Sequence, residues 1–179
     1  ALAVLFGLPL ALARLYGPWP VRAAATVYVE FFRGIPVLLL LYFLYYGLPA
    51  ISDRYDLWID LRLAPMTAAI IGFGLNYAAY EAENYRAGLL AVPRGQMEAA
   101  LGLSMTRWQA LRHVVIPQAF RVVIPPLTNE FVLLIKDTSL VFVLGLAASD
   151  QELAFFSRSA VQETFNGTPL VAVALIYLA

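Results

Sequence analysis

The amino-acid sequence predicts an all-α, polytopic membrane protein with about five transmembrane helices, and three observations carry that prediction. Hydrophobic residues fill 61% of the 179 positions and charged residues only 13%, whereas soluble domains carry roughly 25% charged residues. Mean hydropathy is +0.74. Uncharged runs recur at close to the ~20 residues that a bilayer span needs, and the arginines collect between them.

The runs follow in order. Ala1–Ala13 is apolar with Arg14 on its far side and no basic segment before it, so it reads as the tail of a first spanning helix rather than a signal peptide. The second run, Ala23–Pro49, holds Glu30 and Arg33 near its start. The third, Leu63–Tyr80, is free of charge for eighteen residues and is the clearest span. Val122–Ser149 is the fourth, interrupted by Glu130, Lys136 and Asp137, and Thr164–Ala179 is the fifth. The first and last begin and stop inside apolar sequence, so residues 1–179 are expected to be one transmembrane domain truncated at both ends.

Orientation follows from the loop arginines, because Lys and Arg favour the cytosolic side. Arg14, Arg22, Arg86, Arg94, Arg107, Arg112 and Arg121 fall on one side, against Arg54, Arg62 and Arg158 on the other, seven to three. The loop between the third and fourth spans, residues 91–117, is therefore expected in the cytosol and the N-terminus outside. Net charge is zero, which argues neither way about nucleic acid, and none is expected as a partner. With no cysteine, disulfides and thiolate metal sites are excluded. His113 is the only histidine, so no multi-histidine metal site is possible and it is read as part of the loop surface.

The cytosolic loop carries its own pattern. Pro93 suits a helix first turn, and Met97, Leu101, Trp108, Leu111 and Val115 recur at helical spacing. Gly102 and Ser104 interrupt them, with Ser104 placed to cap a second helix. Two short helices joined by a bend are expected along the membrane surface. An amphipathic interfacial helix without a partner is the plain alternative.

The sequence Glu98-Ala99-Ala100, then Ser104, then Val114, Ile116 and Pro117 resembles the coupling loop of ABC importer permeases. The spacing is kept, and the one departure is Ser104 where that family usually has Gly, with Gly102 two residues earlier. Tyr28-Val-Glu30-Phe-Phe-Arg33-Gly34-Ile-Pro36, Tyr80-Glu81-Ala82-Glu83-Asn84-Tyr85-Arg86, Asn129-Glu130-Phe131 and Lys136-Asp137-Thr138-Ser139-Leu140 are similar to segments of the polar amino-acid group of those permeases, which carry histidine, arginine, glutamine and glutamate. The resemblance implies a multi-pass protein of the bacterial inner membrane. Its implied partners are ABC ATPase subunits, a second permease subunit, an extracytoplasmic amino-acid-binding protein, the amino-acid substrate and the bilayer. Glu98, Ala99, Ala100, Gly102, Ser104, Arg107 and Pro117 are its implied ATPase-coupling residues, although positive charge near lipid headgroups accounts equally well for Arg107 and Arg112. No cofactor is expected on this chain. There is no Gly-x-x-x-x-Gly-Lys-Ser/Thr loop, and the only lysine, Lys136, lies in a predicted span. ATP and Mg are thus expected on the partner, and the chain is not expected to be an enzyme.

Charges within spans need partners or a polar cavity, since each costs ~2.5–3.5 kcal/mol at mid-helix. Glu30 with Arg33 and Glu83 with Arg86 are three apart, share a helix face, and are expected to be structural ion pairs. Glu130 and Asp137 line one face, while Lys136 points about 100° away from its neighbour. Pro125-Pro126 should bend or break this helix, and broken, charged helices occur at transporter substrate sites. Asn129, Glu130, Lys136, Asp137 and Ser139 are thus candidates for the substrate pathway, with interhelical ion pairs at a dimer interface as the alternative. An ATP-independent secondary transporter or channel is the rival function; a membrane-embedded enzyme lacks any catalytic constellation.

Overall fold

The computed structural model describes residues 2–56, 58–144 and 153–178, and they contain helices and no strand. Residues 145–152, the end of the Val122–Ser149 run and the head of the Asp150–Glu163 loop, lie outside the described residues, as does residue 57 of the second loop. The helices are α1 (Leu2–Tyr16), α2 (Trp19–Gly34), α3 (Val37–Tyr42), α4 (Leu48–Arg54), α5 (Pro65–Ala91), α6 (Arg94–Gly102), α7 (Arg107–Ala110), α8 (Ile116–Asp137), α9 (Leu153–Thr164) and α10 (Thr168–Leu178). Wide π turns join α3 to α4 and α7 to α8. The chain divides into two compact units, one of Ala1–Ile35 with Gly74–Phe131, the other of Pro36–Phe73 with Val132–Ala179.

No single described helix is both long and apolar enough to cross a membrane; α2 with α3–α4 passes that test only as a broken pair. The single span expected over Ala23–Pro49 is thus interrupted. Ile35 precedes a proline, which disfavours helical backbone, and it is extended at φ −94°, ψ 128°. Helix α5 contains the expected Leu63–Tyr80 run from Pro65 onward, and its 27 residues reach about 40 Å. Asn76, Tyr77 and Tyr80 put polar groups in that run.

In the first unit, α1 and α2 are joined by a turn at Gly17-Pro18, where the Gly17 amide donates to the Ala13 carbonyl at 3.0 Å. Gly7 lets α1 lie on α5: a Cβ there would sit 2.6 Å from the Glu81 Cβ. The break after α2 leaves its last carbonyls without helical partners, and α5 supplies replacements. Asn76 Nδ2 donates to the Phe32 carbonyl at 2.8 Å, and the Tyr80 hydroxyl to that of Arg33 at 3.4 Å. Such internal satisfaction is obligatory where lipid offers no hydrogen bonds. Val29, Ala79 and Ala82 fill the core between α2 and α5. Helix α8 closes the unit through Val123, which packs with Ala11 and Tyr85.

In the second unit, Leu40, Leu41 and Leu44 are buried, and Gly72 admits Leu41 into a space that its own Cβ would fill. Asp53 pairs with Arg62 at 3.1 Å, and the Ser52 hydroxyl donates to the Ile59 carbonyl. The α9–α10 turn is set by Asn166, whose Oδ1 accepts from the Thr168 amide at 3.0 Å.

Candidate functional site

The loop between α5 and α8 forms a helical hairpin. Pro93 is the residue before α6, extended at φ −58°, ψ 135°, so it sits just outside the first turn rather than within it. Helix α6 ends in a Schellman turn. The Met105 amide donates to the Ala100 carbonyl at 3.2 Å and the Ser104 amide to that of Leu101 at 3.0 Å, the paired bonds that define the motif. Its key residue is Ser104, with φ +63°.

Ser104 therefore does not cap the second helix, contrary to expectation. Thr106 does: its Oγ1 accepts from the Gln109 amide at 3.2 Å, while Gln109 Oε1 accepts from the Thr106 amide at 2.9 Å. This reciprocal box satisfies two donors that the helix start leaves open. Ser104 instead occupies the left-handed position where glycine is normally needed, at a cost of about 1–2 kcal/mol for an L-residue. Ser104→Gly is expected to raise the unfolding midpoint, the relief of strain being partly offset by the chain entropy of glycine. Gly102 is different: nothing lies within 4 Å of a Cβ built there. Gly102→Ala should be neutral or mildly stabilising, and a fall in midpoint with Ser104→Gly alone would contradict the turn assignment.

The hairpin is fixed from beneath. Leu89, Val115 and Ala119 are buried, with Leu12, Leu15, Val92, Met97, Leu111 and Ile116 against them. The α1–α2 turn and this loop therefore occupy the same end of the first unit. Ala100 is buried within the chain itself, so it packs the hairpin rather than presenting itself outward. Glu98, Ala99, Gly102 and Leu103 are exposed, as are Arg107 and Pro117. Gln118 Nε2 donates to the Val114 carbonyl at 3.0 Å and to Gln96 Oε1 at 3.4 Å, linking the two limbs.

A charge network lies nearby. Glu83 pairs with Arg86 through both carboxylate oxygens. Glu30 does not take Arg33. It pairs with Arg14 at 3.1 Å, and Arg14 also reaches Glu83 at 2.8 Å. Arg33 lies instead over the Tyr80 ring, 5.5 Å from its centroid. Arg14 comes from the adjoining helix of the α1–α2 hairpin and so meets Glu30 and Glu83 together. Sequence spacing offered no sign of that pairing.

The candidate pathway residues lie on α8 and just beyond it. Pro125-Pro126 does not break the helix, which is continuous from Ile116 to Asp137. The prolines withdraw donors from the Arg121 and Val122 carbonyls, and both of those residues are exposed. The helix changes only at Thr138, entering a 3-10 turn over Thr138–Leu144. Asn129 and Lys136 are exposed, Glu130 and Asp137 half-buried. The Ser139 hydroxyl donates to the Lys136 carbonyl at 2.7 Å, a bond that tightens the turn. Among the described residues no cluster could hold a metal ion.

The family model for the binding-protein-dependent transport system inner membrane component matches residues 3–179. The chain is 36% identical to the glutamine transport system permease protein GlnP of Escherichia coli K12 over 176 residues, 98% of this chain and 76% of that one. It is 42% identical to the L-cystine transport system permease protein TcyB of Bacillus subtilis, over 85% of this chain and 64% of the other. The crystal structure of an amino acid ABC transporter with histidines superposes with a TM-score of 0.85 at 34% identity, covering 99% of this chain and 78% of that one. The MetNI methionine ABC transporter shares the fold, with a TM-score of 0.70 at 20% identity over 99% of this chain and 82% of the other.

Proposed function

The chain belongs to the family of binding-protein-dependent transport system inner membrane components, and from that premise we propose that residues 1–179 act as one permease domain of an amino-acid ABC importer, coupled to a separate ATPase through residues 91–117. Its relatives are permease subunits of amino-acid transport systems, and they perform no covalent chemistry. ATP and Mg belong to the ATPase. The other partners are a second permease subunit and an extracytoplasmic binding protein that delivers a polar amino acid. The relatives carry glutamine, L-cystine, or glutamate and aspartate, so side-chain charge and size both vary among the substrates.

The hairpin of α6 and α7 carries this reading. It is locked by the Schellman turn at its tip and by the Leu89–Val115–Ala119 core at its base, so a push on its tip reaches α5 and α8 with little lost to bending. Glu98, Ala99, Gly102 and Leu103 form the outward surface for the ATPase, and Ala100, Ser104 and Pro117 hold its shape. Arg107 is exposed as well and lines an apolar cleft. Gathering the α1–α2 turn and the hairpin at one end supports a cytosolic position for both, given their surplus of arginine. Asn129, Glu130, Lys136, Asp137 and Ser139 are assigned to the substrate pathway.

The test is ATPase activity in liposomes containing the full-length permease with its ATPase, challenged with amino acids and binding protein. Stimulation by a subset of amino acids is expected, and Glu98→Lys should abolish it while the complex still purifies intact. Robust flux without bound ATPase and without ATP would instead identify a secondary transporter.

A further inference from the structure

The end of the first unit that carries the hairpin also holds a cleft of about 380 Å³, lined by Tyr16, Met97, Leu101, Arg107, Trp108 and Leu111. Five of these six residues are apolar or aromatic, and the sixth is a cation. Arg107 makes no ion pair among the described residues, and neither do Arg94 and Arg112. Residues 93–121 contain four arginines and one acid, Glu98, so the hairpin that walls the cleft carries a surplus of positive charge. Tyr16, Trp19 and Trp108 are 61%, 73% and 65% exposed, a concentration of amphipathic rings typical of the headgroup level.

We propose that this cleft is a binding site for one anionic phospholipid, with an acyl chain against Met97, Leu101 and Leu111 and the headgroup phosphate at Arg107. The chemistry selects this ligand over others. A free phosphate or other soluble anion would leave the apolar walls bare. An amino acid would find no carboxylate for its ammonium group. A zwitterionic lipid would bring its own cation to a hairpin already positive. Basic pockets at the cytosolic ends of membrane helices suit anionic headgroups for this reason. Both limbs of the hairpin and the end of α1 contribute walls, so a bound lipid would brace the coupling loop against α1. The proposal rests on the membrane placement argued above.

The experiment uses the full-length permease assembled with its ATPase in nanodiscs. These are doped with phosphatidylglycerol or phosphatidylcholine bearing a photoreactive group on the acyl chain, and labelled peptides are located by mass spectrometry. Phosphatidylglycerol is expected to label residues 94–115 about fivefold more than phosphatidylcholine, the preference that one arginine near the surface gives an anionic lipid. Arg107→Gln should bring the two lipids level without changing labelling elsewhere on the chain. Equal labelling in the parent protein, or no response to Arg107→Gln, would overturn the proposal. So would labelling of the isolated permease that vanishes in the complex, since the ATPase would then fill the cleft. Amino-acid-stimulated ATPase activity measured in the same nanodiscs separates the two readings: if it persists without lipid preference, the lipid site fails and the importer stands.

Discussion

Glu83→Gln is expected to lower stability by about 1.5–3 kcal/mol, the usual worth of hydrogen bonds to charged groups, and to do so more than any other charge removal in the network. Glu83 accepts from Arg86 on its own helix and from Arg14 on α1, so its neutralisation takes the partner of Arg86 and leaves Arg14 only the exposed Glu30. Arg14 is the side chain with least recourse to solvent, its exposure being 12%. Glu30→Gln offers the contrast. Its carboxylate is 61% exposed, which places the Arg14–Glu30 contact among surface pairs contributing about 0–1 kcal/mol. Arg86→Gln should fall between them, because Glu83 keeps Arg14. Thermal unfolding of the detergent-solubilised permease would rank the three. A loss for Glu30→Gln as large as for Glu83→Gln would mean that Arg14 is anchored by α2 and not by α5.

That network marks where sequence reasoning reached its limit. Spacing of three names both Glu30–Arg33 and Glu83–Arg86, and it cannot tell that only the second forms. The competitor for Glu30 is Arg14, sixteen residues away, and the α1–α2 turn is what brings it near. Local signals served better where the physics is local. The hairpin was legible from the recurrence of Met97, Leu101, Trp108, Leu111 and Val115. The true cap is also visible in the sequence, since Thr106-x-x-Gln109 has the capping-box spacing, which Ser104 lacks. Its real role, a left-handed turn residue, is marked only through the resemblance, which puts Ser104 where that family usually has Gly. The prolines show the same division. Pro36 stops a helix because the extended Ile35 before it is accommodated, its neighbours' carbonyls being taken by Asn76 and Tyr80. Pro125-Pro126 leaves a helix running because the carbonyls it frees belong to exposed residues. Whether a proline breaks a helix thus depends on what surrounds the orphaned carbonyls, which is tertiary information.

The glycine with least room for a Cβ in the first unit gives the other large effect. A Cβ added at Gly88 would lie 2.1 Å from Val123 Cγ2 and 3.2 Å from the Ala119 carbonyl oxygen. The first contact is impossible without movement, and Val123 is 2% exposed with Ala11 and Tyr85 packed around it, so it has little room to turn. Gly88→Ala should therefore cost about 1–3 kcal/mol, the usual penalty for overpacking, despite alanine being the better helix former by ~0.5–1 kcal/mol. Gly88→Leu should prevent α8 from seating on α5 altogether. The diagnostic variant is Gly88→Ala with Val123→Ala, which removes the methyl that blocks the new Cβ. The pair is expected to be more stable than the sum of its single changes predicts, a coupling of 0.5 kcal/mol or more as is usual for residues in contact, ~0.5–3 kcal/mol. Recovery should stay incomplete, because the Ala119 carbonyl is backbone and cannot be moved aside by any side-chain change. Additive losses would show that α5 and α8 separate to admit the methyl. The loop resting on Leu89, Val115 and Ala119 would then move with them, and amino-acid-stimulated ATPase activity should fall in step with stability.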